Sequence, residues 1–298
     1  MLGLHDGASA VIGGDHEHGA PYPRPSKHGH ALSRRQFRSV ADETTAFGLE
    51  VIGRIPLELN GRFLRLGPNP IDLDPTRYHW FTGTGMAHGL RVREGKAEWY
   101  RSRFVIDGRA AAALGREPIG GPGKGKRDRA VNTSLIEVGG KLCAIVESGS
   151  LPVELNYELE SVRRTDFDGT LEAGFSGHAR LDPITGEQHA LAYEPGQPVR
   201  YISVGRDGRR AATKARIELP HIPLIHDMAF TQSFIVVPDF PVSSSRRVRT
   251  RPFRGFGTSA VRLASVCCRG TARCRASSGS RRRCASPFTS PTPMTMAT

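Results

Sequence analysis

From residue 50 to about 220 the chain is a succession of short segments in which apolar and polar residues alternate, each closed by turn-forming residues. A period of two is that of a strand with one face buried, and the segments are too short for packed helices. Four hairpins are legible. Residues 89–93 meet 96–101 across Glu94-Gly95, and residues 135–138 meet 141–146 across Gly139-Gly140, a pair suited to positive φ. A third turn falls at Pro183, Ile184, Thr185 and Gly186, and a fourth, at Asp207-Gly208, joins residues 201–204 to 211–217. The first three turns recur at roughly 45 residues, the length of one four-stranded propeller blade. The spacing therefore predicts an all-β propeller; a β-sandwich would show a similar density of strands.

Composition narrows the class further. With 298 residues, 38% apolar and 24% charged, the chain has enough material for one large domain or two ordinary ones, which disfavours a disordered or fibrous protein. No run approaches the roughly 18 to 20 apolar residues of a spanning helix. The first 20 residues carry His and Asp where a signal peptide would have an apolar core. Ser33-Arg34-Arg35-Gln36-Phe37 has the look of a twin-arginine signal, but polar residues follow it. A cytoplasmic location is the expectation. Residues 1–45, rich in Gly, Pro and His without a period, read as a mobile leader. His16, His18, His28 and His30 lack matching Cys or carboxylate spacing and read as part of that solvated segment rather than as a metal site.

The net charge of +13 points towards nucleic acid or an anionic surface until its distribution is considered. Residues 243–298 hold 12 Arg and no Lys, Asp or Glu, whereas residues 1–242 hold 30 basic and 29 acidic residues. The same tail holds Cys267, Cys268, Cys274 and Cys284, four of the five cysteines. Two compositions are joined near residue 242. The predicted organisation is a leader over 1–45, a β-propeller body over 46–242, and an Arg/Ser/Cys-rich tail over 243–298, out of frame and disordered. A reading from another class is a non-catalytic fragment whose basic tail binds nucleic acid or anionic surfaces with a steep salt dependence. Against specific nucleic-acid binding, the tail offers only Phe253, Phe256 and Phe288 for stacking, and its cysteines fit no common zinc finger.

Residues 51–70, ending Leu66-Gly67-Pro68-Asn69-Pro70, resemble the carotenoid oxygenases, also called carotenoid cleavage dioxygenases. The likeness continues in order through Tyr78-His79-Trp80-Phe81-Thr82-Gly83-Thr84-Gly85-Met86-Ala87-His88, with Thr82 and Thr84 where that family usually has acids. Val131-Asn132-Thr133, then Glu147 with Pro152 after it, and Gly177-His178-Ala179 extend it. Asp182 to Glu187 and His226-Asp227-Met228-Ala229-Phe230-Thr231 complete the series.

The resemblance implies a seven-bladed β-propeller, incomplete here at about four blades, with a non-haem Fe(II) on its axis held by four histidines from different blades. His178 and His226 match the first two ligands, and Glu147 matches the first of the carboxylates that orient ligating rings. Neutral imidazoles suit Fe(II), and four of them leave positions open for O2. The implied reaction is cleavage of a conjugated C=C bond of a carotenoid, apocarotenoid or stilbene-like substrate by O2 to give two carbonyl products. Its partners would be that apolar substrate and O2, with peripheral membrane contact for substrate uptake. His79 and His88 lie in a segment that is structural in the family, and His189 and His221 carry no matching motif. Asp227 either turns a ligand ring or pins the local backbone.

The third and fourth ligand motifs do not follow Pro241. A stretch rich in Arg, Ser, Cys, Pro and Thr without acids is what a GC-rich gene gives when read out of frame. Shifting each codon by one base forces Cys267-Cys268 to Leu, Met294-Thr295 to Asp and Met296-Ala297 to Gly, and restricts Phe288-Thr289 to His or Tyr. The recoded strings resemble the family's next two motifs, so a frame change between about 242 and 255 is predicted. With two of four histidines left, iron affinity and activity of this chain are expected to collapse.

Overall fold

The computed structural model describes residues 39–71, 81, 83–122, 129–194, 197–219, 224–232 and 234–238, with the backbone of five short strands outside these spans. His16, His18, His28, His30, His79, Thr82, His221 and most of the tail lie outside the described residues.

The chain is built from antiparallel sheets met in sequence order. Near the start, β1 (Val11–Gly13), β2 (Thr44–Phe47) and β3 (Glu50–Ile52) precede the first meander; β1 pairs with β3. The first sheet is the meander β4 (Gly61–Pro68), β5 (Gly85–Arg93) and β6 (Lys96–Phe104), with β2 added on the outer side of β6. The β5–β6 turn falls at Glu94-Gly95, as the hairpin reading predicts, and both residues have positive φ, 50° and 74°. A short helix, α1 (Gly108–Leu114), follows; Asp107 Oδ1 accepts the Ala110 N–H at its start, and Gly115 ends it at φ 62°. The second sheet is β7 (Ser134–Val138), β8 (Lys141–Ile145), β9 (Val153–Leu155) and β10 (Ser161–Arg164). Gly139 and Gly140 turn it at φ 59° and 73°.

The third sheet is β11 (Arg180–Leu181), β12 (Gln188–Ala192), β13 (Val199–Val204) and β14 (Ala211–Glu218). A fourth is begun by β15 (Ala229–Phe230) and β16 (Phe234–Val237). Beyond them β17 (Val242–Ser244) pairs with β18 (Gly255–Gly257), β19 (Ser265–Cys268) with β16, and β20 (Cys274–Arg275) in parallel with β14. The leading strands β7, β11 and β15 start at residues 134, 180 and 229. That step is close to the roughly 45 residues of a propeller blade.

The stacking of sheets is written in the side-chain alternation of β12 and β13, which are buried along their whole length. Ala190, Ala192, Ile202 and Val204 face the second sheet and pack on Ile136, Val138, Cys143 and Ile145. The intervening Leu191, Val199 and Tyr201 face the other way, onto Ile225, Met228, Ile235 and Val237 of the fourth sheet. A third apolar layer joins the first two sheets through Leu66, Ala87 and Val105 against Val131, Ala144 and Val153. Each fully buried aliphatic side chain contributes roughly 1.5–3 kcal/mol relative to exposure, so the layers between sheets hold the molecule together. A strand that is core on both faces is what face-to-face blades require, and the chain folds as a partial β-propeller. Four-stranded blades one to three are present, and the fourth is begun.

Candidate metal centre

Successive blades present the same position at the same end. His178 lies two residues before β11 and His226 three residues before β15, so equivalent points on the leading strands of two adjacent blades bring the two rings together. Their Nε2 atoms are 3.0 Å apart, and the ring planes are inclined at 68° with centroids 4.5 Å apart. Glu147, two residues past β8 in the preceding blade, completes the cluster. Its Oε2 accepts from His226 Nδ1 at 2.7 Å. A carboxylate on Nδ1 puts that ring's proton there and leaves Nε2 with a free lone pair directed at His178.

Local sequence explains how three loops come this close. Gly177 packs on the second blade: a Cβ there would lie 2.9 Å from Thr133 Cγ2 and 3.2 Å from Glu147 Cβ. Gly174 is pressed on the Glu147 loop in the same way, with an added Cβ 2.6 Å from Gly149 N. Ser134 Oγ donates to the Gly177 carbonyl at 2.6 Å, and Ser176 Oγ accepts the His178 N–H at 3.2 Å. The loop before β15 is tied down by Asp227, which accepts from the Met228 N–H at 2.7 Å and from the Arg180 guanidinium. Of the two roles predicted for Asp227, the backbone one is what its contacts describe.

Burial holds the His178 imidazole below its ordinary pKa, with the neighbouring His226 adding to the effect. The ring is neutral where a metal ligand must be. Tyr193, just past β12, was not singled out by the sequence. It is 5% exposed, and its hydroxyl donates to Glu147 Oε1. Burial, then the Glu147 charge, pushes its pKa up, so the phenol stays a donor.

The donor set accords with a first-row divalent ion. Two imidazole nitrogens each roughly 2.1 Å from one ion and at a right angle to each other would lie about 3.0 Å apart, the separation of the two Nε2 atoms. The pair supplies two donors; among the described residues no group of three or more His, Cys, Asp or Glu side chains is gathered to hold a metal. The other two described histidines have structural partners. His88 on β5 meets the Tyr100 hydroxyl at 2.7 Å, and His189 on β12 meets the Tyr201 hydroxyl at 2.9 Å.

Residues 37–262 match the family described as retinal pigment epithelial membrane protein (RPE65). The chain belongs to the RPE65/carotenoid oxygenase family. Among curated relatives, the carotenoid cleavage oxygenase of Mycobacterium tuberculosis is 44% identical over 210 residues, covering 68% of this chain and 42% of the relative. The carotenoid 9,10(9',10')-cleavage dioxygenase of Crocus sativus is 32% identical over 254 residues, covering 73% and 45%. The family is thus one of oxidoreductases. Of solved structures, Pseudomonas brassicacearum lignostilbene dioxygenase superposes with a TM-score of 0.64 at 28% identity, covering 75% of this chain and 49% of that one. Cobalt-substituted Synechocystis ACO, at 23% identity and a TM-score of 0.56 over 69% and 48%, shares the fold. The chain spans a little under half the length of the family members it matches. No helix among the described residues is long and apolar enough to cross a membrane.

Proposed function

We propose that residues 46–242 are the ligand-bearing first part of a non-haem Fe(II) dioxygenase that cleaves a conjugated C=C bond of a carotenoid, apocarotenoid or stilbene-like substrate. The observation that carries this reading is the convergence of His178 and His226 at 3.0 Å with Glu147 on the outer nitrogen of His226. Relatives named for carotenoid cleavage and for lignostilbene support the substrate class proposed. When bound, the iron would activate O2 for addition across the alkene, giving two carbonyl products. His178 and His226 would hold it as neutral imidazoles, Glu147 keeps the His226 proton on Nδ1, and the Arg180–Asp227 pair keeps the His226 loop against the third blade. An apolar polyene or stilbene would be the organic partner, drawn from a membrane surface or the cytoplasm.

The tail belongs to the same proposal. Residues 243–298 carry the composition of a shifted frame, and the missing ligands would lie in the frame they displaced. Resequencing the gene past codon 235 and expressing the one-base-corrected product tests both ideas. The corrected chain should bind one Fe(II) and cleave a polyene or stilbene under O2, and His178→Ala or His226→Ala within it should abolish both. A corrected frame without further histidine motifs, or a folded corrected chain that takes up no iron, would overturn the reading.

A further inference from the structure

The carboxylate that faces His226 is itself held from behind. We propose that Tyr193 is a positioning residue of the metal centre: its hydroxyl, bound to Glu147 Oε1, fixes the tautomer and the place of the His226 ring. The role rests on the metal-site reading of His178 and His226, and is tested separately from it.

Three features carry the inference. The hydroxyl donates to the one Glu147 oxygen that His226 does not use, so the two bonds together set the orientation of the carboxylate. Tyr193 also shares an apolar cluster with Ile225, the residue before His226, so the side chain that holds the partner of the ring is packed with the segment that bears the ring. Tyr193 is also buried. It is 5% exposed in the layer between the third and fourth blades, beside Leu191, Ile225 and Met228. Glu147, by contrast, sits in the loop beyond β8, where Ser148 and Gly149 have positive φ, 57° and 105°. The hydrogen bonds run from the third blade (Tyr193) to the second (Glu147) and the fourth (His226), across both seams at once. Partners that orient a ligating ring in this way typically change metal affinity about 10- to 100-fold when removed, and a group one bond further out is expected near the lower end.

The experiment uses the full frame-corrected chain with and without Tyr193→Phe, and Tyr201→Phe as the control, since Tyr201 makes a comparable buried contact with His189 away from the site. Long-range 1H–15N NMR of the metal-free chains reads the His226 tautomer, and titration with Co(II) reads metal affinity. Wild type and Tyr201→Phe should keep the His226 proton on Nδ1, while Tyr193→Phe should give a mixture of tautomers and roughly ten-fold weaker Co(II) binding. In a Glu147→Ala background Tyr193→Phe should have no further effect. An unchanged tautomer in Tyr193→Phe, or an additive loss in the double variant, overturns the proposal. Loss of the sheet signal in Tyr193→Phe but not in Tyr201→Phe would make the residue a packing element and overturn it too. A folded frame-corrected chain that takes up no Co(II) would sink the metal reading, while the tautomer comparison still decides the role of Tyr193.

Discussion

At the scale of single residues the candidate centre is a set of hydrogen bonds that each remove one freedom from a ring. Glu147 is the pivot, because it takes the His226 proton on one oxygen and the Tyr193 hydroxyl on the other. Glu147→Gln keeps the shape but removes the charge and presents an NH2 group to one of two donors. We expect about 10- to 100-fold weaker Co(II) or Fe(II) binding in the frame-corrected chain, with the sheet fold intact by circular dichroism. Gly174 is a residue-scale constraint of a different kind. Its neighbour is the Gly149 backbone, which cannot rotate aside, so Gly174→Ala must displace either the Glu147 loop or the segment that carries His178. A loss of roughly 1–3 kcal/mol by urea titration, with weakened metal binding, is the expected outcome.

At the scale of strands and turns, the second blade contains a cross-strand charge cluster. Glu154 on β9 takes Arg163 of β10 at 3.0 Å and Lys141 of β8 at 3.3 Å. Burial by itself would raise its pKa, but the hydrogen bonds and charges of Arg163 and Lys141 outweigh it and hold the carboxyl below its ordinary value. A carboxyl depressed in the folded state binds fewer protons there than in the unfolded chain. Its stabilisation is therefore complete above the ordinary value and is lost as pH falls through the depressed one. Glu154→Gln should flatten the acid limb of a stability–pH curve measured by thermal melting. The turns make a second element-scale prediction. Gly139 and Gly140 both have positive φ, but only Gly139 is pressed against the Asp207 carbonyl. Gly139→Ala should thus lower the melting temperature by more than Gly140→Ala, which costs only the backbone strain of about 1 kcal/mol. These turns were legible in the sequence because a type I′ turn is fixed by two adjacent residues. Helix α1 was not, because a seven-residue run with four alanines between strands carries no period, although Asp107 and Gly115 mark its ends.

At the scale of the molecule, the blades are joined in a row, each touching its neighbours. Ile202 lies in the layer between the second and third blades, on a strand whose opposite side forms the next layer. Ile202→Ala should cost about 2–5 kcal/mol, and hydrogen exchange should quicken in the second and fourth blades as well as in the third. The propeller could be read from the chain because turn spacing is a one-dimensional signal, and His178, His226 and Glu147 because ordered motifs resemble a family. Tyr193 could not, since it meets Glu147 across 46 positions of sequence with no local pattern to mark it. The same geometry gives the His178–His226 contact a second use. The two rings stand on neighbouring blades and meet at their tips, so any slip of one blade against the next changes their separation directly. Two imidazoles that meet at their tips are thereby an internal ruler of blade alignment, readable by spectroscopy in any variant of the chain, whether or not it performs chemistry.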